Sequence, residues 1–343
     1  MLISRTLSFF RIPELSLLLS PGAPRIFLYH GVSPDVPDYG IFNYRKKFVT
    51  PELFRQELLW LSRYFTILPL PLLIERMARR EVLPPRAAAL TFDDGYKNFY
   101  QYAFPILQKL SLPATMFLTT DLVDGASPLW VDTLEYAIGH TKESAIRIPL
   151  REKEKIFPLR NYEERIQTDL ALRDYAKKLP EQEKSALINM IVERTGKDLS
   201  QSFRSSPYAG MTWDEAREME QKGVTFASHT LSHPILTRIP LLDMEKEITA
   251  SKRRLDDELD HPLPVFAYPN GQEGDFSPYM ESILRNAGVQ AALTTIPGTL
   301  PQKANLYAIP RITLDGTDSF AMYKNTASRI THALRPLAHA FKK

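Results

Sequence analysis

Short apolar runs recur along the chain, and most are followed by a stretch with helical spacing. Arg25 to His30, Phe65 to Leu68, Ala87 to Phe92, Ala114 to Leu118, Val224 to Ala227, Val265 to Tyr268, Val289 to Thr295 and Tyr307 to Ile312 read as strands. Helical patterns lie between them. Thr50-Pro51 opens one that runs to about Tyr64, with Thr as cap and Pro in the first turn. Others cover Leu72 to Arg79, Asn98 to Leu110, Asp243 to Leu259 and Pro278 to Ala287. Thr212-Trp213-Asp214-Glu215 forms a capping box that starts a helix ending at Lys222. About seven strands, most followed by helices, predict an α/β protein built as an irregular (β/α)7-type barrel.

The alternation stops between about Trp130 and Ser206. That stretch is rich in Glu, Lys and Arg at helical spacing, as in Tyr162 to Leu179 and Glu181 to Arg194, and strand-like runs are almost absent. It predicts a helical insertion (130–206) on one face of a barrel domain spanning 24–318, rather than a separate small domain. Residues 319–343 follow as a basic helix or tail: from Phe320 on there are Lys324, Arg329, Arg335, Lys342 and Lys343 and no acid.

Composition narrows the chemistry. The 343 residues are 44% hydrophobic, enough for a large core. A formal net charge of +3 is too small to argue for nucleic acid as a partner. There is no cysteine, so disulfides and thiolate metal sites are excluded. No uninterrupted apolar run between Met1 and Leu19 is longer than Leu17-Leu18-Leu19, too short for a signal segment or a membrane span. The expectation is a cytoplasmic protein, with peripheral contact to the inner membrane face through the basic tail.

Two motifs carry the candidate chemistry. Thr91-Phe92-Asp93-Asp94-Gly95 puts two adjacent carboxylates at the end of a buried strand. Ser228-His229-Thr230-Leu231-Ser232-His233-Pro234 puts two imidazoles four residues apart after another, a spacing that places them on one face of a helix or helical turn. Taken alone, Asp-Asp-Gly is also a common turn, and a random histidine pair is usually on the surface. Together, one carboxylate and two histidines make a three-ligand site for a divalent metal, with a position left for water. The second carboxylate is then free to act as base. Zinc suits this ligand set, as do cobalt, nickel or iron. Ser228, Thr230 and Ser232 are candidates to orient an imidazole. His140, His261, His332 and His339 have no motif context.

These two motifs in this order resemble the polysaccharide deacetylase family (carbohydrate esterase family 4, the NodB-homology fold). The resemblance covers roughly residues 24–124 and 210–315. It implies that Asp93 is the general base and that Asp94, His229 and His233 hold the metal. The family's Pro-Tyr-Gly motif is present as Pro269-Asn270-Gly271, which implies that the Asn270 N–H helps hold an oxyanion. Two family features are displaced. The usual arginine ahead of Pro-Tyr-Gly is replaced by Phe266-Ala267-Tyr268, and Arg311 is the best substitute. The usual late histidine is missing, since none lies between His261 and His332. His30, in Leu28-Tyr29-His30-Gly31-Val32, resembles the circularly permuted poly-N-acetylglucosamine deacetylase branch, where an early strand supplies the acid.

The function so implied is metal-dependent removal of N-acetyl groups from amino sugars of a polysaccharide, oligosaccharide or glycan precursor, with an N-acetylated glycan as partner. The competing readings are a deacylase or deformylase of a lipid-linked amino sugar, and a non-catalytic carbohydrate-binding homologue. A metal phosphoesterase is weaker, because two-metal sites need more ligands than these motifs offer.

Overall fold

The computed structural model describes residues 12–19, 22–36, 39–150, 153–196, 203, 206–301, 305–315 and 319–329. Seven parallel strands close a barrel. In chain order they are β1 (Arg25–Tyr29), β2 (Ala87–Phe92), β3 (Thr115–Leu118), β4 (Thr225–Ser228), β5 (Val265–Ala267), β6 (Ala291–Pro297) and β7 (Ile309–Thr313). Each pairs with its neighbours in sequence, and β7 returns to β1 through Phe27↔Ile312. The short run Thr66–Ile67 adds a parallel pairing to the start of β2. The predicted barrel is therefore the observed one.

The strands are apolar on both faces because both are covered, as parallel sheets require. Ile26, Ala89, Phe117, Ala227, Ala267, Leu293 and Ile309, one from each strand, pack together with Leu70, Leu73 and Ile74. The alternate residues, such as Phe27, Leu90, Met116 and Phe226, pack against Phe54, Leu58 and Leu61 of the helix Pro51–Tyr64 and against other outer elements. Side chains two residues apart share a face. Ile26 therefore leads through Leu28 to His30, Ala89 through Thr91 to Asp93, Ala227 to His229 and Ile309 to Arg311. This parity aims four polar side chains at one end of the barrel, the end where the strands finish and where barrel enzymes place their chemistry.

The insertion differs from expectation. Helices Trp130–His140, Tyr162–Ala176 and Glu181–Thr195 are present, but so is an antiparallel hairpin, Ala145–Leu150 with Lys153–Pro158. Ile146, Ile148 and Phe157 are buried while the residues between them are exposed or half-buried. Ala145–Leu150 alternates with a period of two, but in Lys153–Pro158 only Phe157 is buried, so the sequence shows no alternation there. With Leu134, Ile138, Leu172, Leu187 and Ile191 these residues form an apolar cluster of their own. Arg165 donates to the carbonyls of Ile138, Gly139 and Thr141 and so closes the end of the first helix.

The helix Phe320–Ser328 is docked rather than solvated. Tyr323 is buried, and Lys324 pairs with Glu14 of the helix Ile12–Leu19 at 2.8 Å. The rest of the basic tail, 330–343, lies outside the described residues, as do Met1 to Arg11. Among the described residues no helix is long and apolar enough to cross a membrane.

Candidate active site

β2 delivers Asp93 and Asp94, and the backbone then turns sharply. Asp94 has φ +80° and Gly95 φ +95°. A Cβ at residue 95 would lie 2.8 Å from Leu118 Cδ2, so the turn needs glycine. Successive residues of a strand point to opposite faces, and this turn is what brings both carboxylates to one place. Asp94, Thr230, His233 and Asn270 all adopt left-handed φ, at +80°, +71°, +62° and +58°. Such conformations cost roughly 1–3 kcal/mol each and cluster where function demands a geometry.

Asp94 Oδ1 lies 3.5 Å from His229 Nε2 and 3.4 Å from His233 Nε2. The three atoms are all within 4.8 Å of one another. His229 Nδ1 is 2.7 Å from the Ala267 carbonyl, which can only accept, so Nδ1 donates and the Nε2 lone pair faces Asp94. Burial pushes His233 well below the ordinary imidazole range, leaving it neutral, and pushes the Asp94 carboxyl up. Asp94 Oδ1 is buried with no hydrogen-bond partner among the described residues. A carboxylate oxygen in that position, beside two imidazole nitrogens, fits a divalent cation held by one oxygen and two nitrogens.

The histidine pair is not helical, contrary to expectation. The left-handed φ of Thr230 and His233, with Pro234 behind them, makes residues 229–234 a loop. None of the three hydroxyls hydrogen-bonds an imidazole. Ser228 Oγ meets Ser251 Oγ at 2.6 Å, Thr230 Oγ1 accepts the His233 N–H at 3.0 Å, and Ser232 Oγ donates to Glu247 at 2.6 Å. Glu247 also accepts the N–H groups of Leu231 and Ser232, each at 2.9 Å, and so holds the loop that carries both histidines. Glu247→Gln keeps the shape but not the charge, and should weaken metal affinity about tenfold, as loss of an outer-shell partner commonly does. Competition against a chromogenic chelator measures this, and unchanged affinity would show that the loop holds itself.

Asp93 lies beside this cluster, its Oδ2 3.9 Å from His229 Nε2. Arg311 grips it with two bonds, Nη1 to Oδ1 at 2.7 Å and Nη2 to Oδ2 at 2.6 Å, and its Nε donates to the Thr294 carbonyl. Arg311 is 0% exposed, the bulkiest fully buried side chain described. Burial alone would push the Asp93 carboxyl up; Arg311, then His229, hold it below its ordinary value. The arginine singled out on β7 thus sits on Asp93, the carboxylate that the resemblance implies is the base.

His30 is only partly buried, and its Nδ1 is paired with Asp315 just beyond β7. Burial pulls its pKa down, but Asp315, followed by Asp94 and Asp93, raises it to about 9. Asn270 follows β5. Among the described residues no acceptor engages its N–H. Its side chain is fixed by Lys177 Nζ on Oδ1 at 2.8 Å and by its own Nδ2 on Asp275 at 2.5 Å. Gly271, at φ +58°, stacks its backbone against Thr295.

His30, Asp93, Asp94, His229, His233, Asn270 and Asp315 line one cavity of about 480 Å³, and Arg311 reaches it only through Asp93. Trp130, Val131, Glu135, Arg173 and Lys177 line it too, so the insertion walls the site. Sequence reasoning missed Asp315, Glu247 and Lys177. Asp315 offered a faint signal, being a carboxylate two residues past the end of a barrel strand; the other two lie on charged helices or their ends, where nothing singles them out.

The chain matches the family described as polysaccharide deacetylase over residues 80–144 and 199–292, on either side of most of the insertion. It is 21% identical over 230 residues to the protein YxkH of Bacillus subtilis (strain 168), covering 66% of this chain and 51% of that one. The chain therefore spans about half the length of that relative. An 88-residue stretch, 25% of this chain and 12% of the other, is 35% identical to the poly-beta-1,6-N-acetyl-D-glucosamine N-deacetylase of Escherichia coli (strain K12). Among solved structures, the Streptococcus pyogenes deacetylase PplD, in complex with acetate, shares the fold with a TM-score of 0.57 at 20% identity, covering 88% of this chain and 96% of that one. With its two motifs, its seven-stranded barrel and this family match, the chain belongs to the polysaccharide deacetylase family.

Proposed function

We propose that the protein hydrolyses the N-acetyl amide of N-acetylglucosamine-type units in a glycan, with a divalent metal held by Asp94, His229 and His233. The observation that carries this is the meeting of three groups in one cavity: a ligand triad, a carboxylate clamped by a buried arginine, and an imidazole raised by its own carboxylate. A non-catalytic glycan binder has no need of the Asp93–Arg311 clamp. The Escherichia coli relative, named for deacetylation of poly-N-acetylglucosamine, supports the substrate class.

A divalent cation at this site supplies charge that polarises the acetyl carbonyl and acidifies water. The protein's own groups do the rest. Asp93, kept ionised by Arg311, accepts the proton of the attacking water. The Asn270 N–H donates to the carbonyl oxygen as negative charge builds on it. His30, raised to about 9, is protonated at neutral pH and gives its proton to the departing sugar nitrogen. The products are acetate and a free amine.

Acetate release from a short N-acetylglucosamine oligomer, before and after chelation and after return of zinc, tests the reading. Release that disappears and returns with metal supports it. No release from metal-loaded protein would overturn the acetyl assignment. The acid role has its own test: Asp315→Asn should move the alkaline limb of kcat/KM down by about one pH unit, because His30 loses its partner. An unmoved limb would assign the proton donor elsewhere.

A further inference from the structure

Four cationic side chains, Arg45, Lys47, Arg173 and Lys177, line the cavity that holds the triad. Two are neutralised within the protein. Lys47 is ion-paired with Asp132 and bonded to the Tyr96 hydroxyl at 2.7 Å. Arg173 meets Asp169 at 3.0 Å and Glu135 at 3.5 Å. The other two have no carboxylate within ion-pair distance among the described residues. Lys177 is half-buried, and its one hydrogen bond among the described residues goes to the neutral amide oxygen of Asn270 at 2.8 Å. Arg45 is exposed on the loop that precedes Lys47.

Lys177 also sits within the field of like charges. After burial, the repulsion of Arg45 and then Arg173 holds its ammonium below the ordinary lysine value, and Asp275 and Asp174 offset this only in part. Surface cations normally spread apart or find acids. Here the fold gathers them at the wall of the cavity and leaves two without an ion-pair partner among the described residues. Lys177 stands beside Asn270, the residue whose N–H faces the reacting carbonyl in the proposed function, and Arg45 lines the same cavity. A guanidinium and an ammonium together match a doubly charged oxyanion, whereas one carboxylate neutralises only one of them.

We infer that this end of the cavity takes a phosphate group carried by the acceptor sugar, so that the preferred substrate is a phosphorylated N-acetylated amino sugar rather than a neutral glycan. The inference rests on the deacetylase reading. Arg45 and Lys177 then act as specificity residues, setting affinity for the phosphate and leaving the proton transfers to Asp93 and His30. The phosphate belongs either to a soluble sugar phosphate or to the headgroup of a lipid-linked sugar.

The test compares kcat/KM on three substrates: N-acetylglucosamine 1-phosphate, its ester with a short prenyl chain, and a neutral N-acetylglucosamine oligomer. Zinc-loaded wild type, Arg45→Gln and Lys177→Met are assayed. The quantity read is the ratio of phosphorylated to neutral turnover, which cancels any disturbance of Asn270 by the loss of Lys177. Wild type should prefer a phosphorylated substrate, and each variant should lower that preference about tenfold, through KM, as expected for loss of one charge-assisted bond. If the ester is better than the free sugar phosphate, the phosphate is a lipid headgroup; the reverse order makes it a soluble metabolite. Equal turnover of neutral and phosphorylated substrates, or a preference that survives both substitutions, would overturn the inference. If no substrate releases acetate, the acetyl assignment on which the inference rests fails, and calorimetric binding of glucosamine 1-phosphate then decides the phosphate site by itself. Binding weakened about tenfold in Arg45→Gln upholds the site, and unchanged binding removes it.

Discussion

Asp93→Asn should lower turnover about a thousandfold while the protein still binds one metal ion. The substitution keeps size and shape but removes the ability to accept a proton. Asp94, His229 and His233 are untouched, and the His229 Nδ1 bond to Ala267 that fixes its lone pair stays in place. His229→Ala is the contrasting variant: it removes a proposed ligand and should lose both metal and turnover. Asp93→Asn also leaves Arg311 facing a neutral amide, one of whose groups is a donor, so a lower urea midpoint should accompany the loss of activity. Metal content and turnover measured on the same samples separate the two roles. Near-normal turnover in Asp93→Asn with metal bound would mean that another group accepts the proton.

Arg311→Met should destabilise the chelated protein by roughly 3–5 kcal/mol at neutral pH, because it strands a buried carboxylate. Asp93 is 1% exposed, and both its oxygens are bonded to the guanidinium. In the wild type its carboxyl is held below the ordinary value, so its contribution to stability is fully present above about pH 4 and is lost only as the pH falls lower. In the variant burial dominates and the carboxyl titrates above its unfolded value. The folded state then binds the proton more tightly than the unfolded chain, and stability is regained as the pH falls. The wild-type-minus-variant difference in urea stability should therefore shrink between pH 7.5 and pH 5. A difference that is constant with pH would show that packing, not the stranded charge, causes the loss.

Much of this site was legible because strand parity and motif position reinforce one another. Ala87 to Phe92 reads as a buried strand, and its inward residues Ala89 and Thr91 lead to Asp93; the same count takes Ile309 to Arg311. Arg311 could be proposed from the sequence, but its complete burial could not, since only the closure of β7 onto β1 brings it against β2. The histidine loop shows the limit of spacing arguments: four residues fit a helical turn, yet two left-handed residues decide otherwise. The strand pair within 145–158 stayed hidden because every residue of Lys153–Pro158 but Phe157 is exposed, so no apolar alternation marks that strand. Partners supplied from distant elements, Asp315 to His30 and Glu247 to the loop, depend on tertiary approach, and no local pattern encodes it.

The most direct test of the central claim is a zinc titration of chelated protein with acetate release followed in the same cuvette. The account predicts a rate that is negligible without metal, rises in proportion to added zinc and breaks at one zinc per chain, with no rise at all in His229→Ala. A rate that is independent of metal, or that rises equally in His229→Ala, would contradict it.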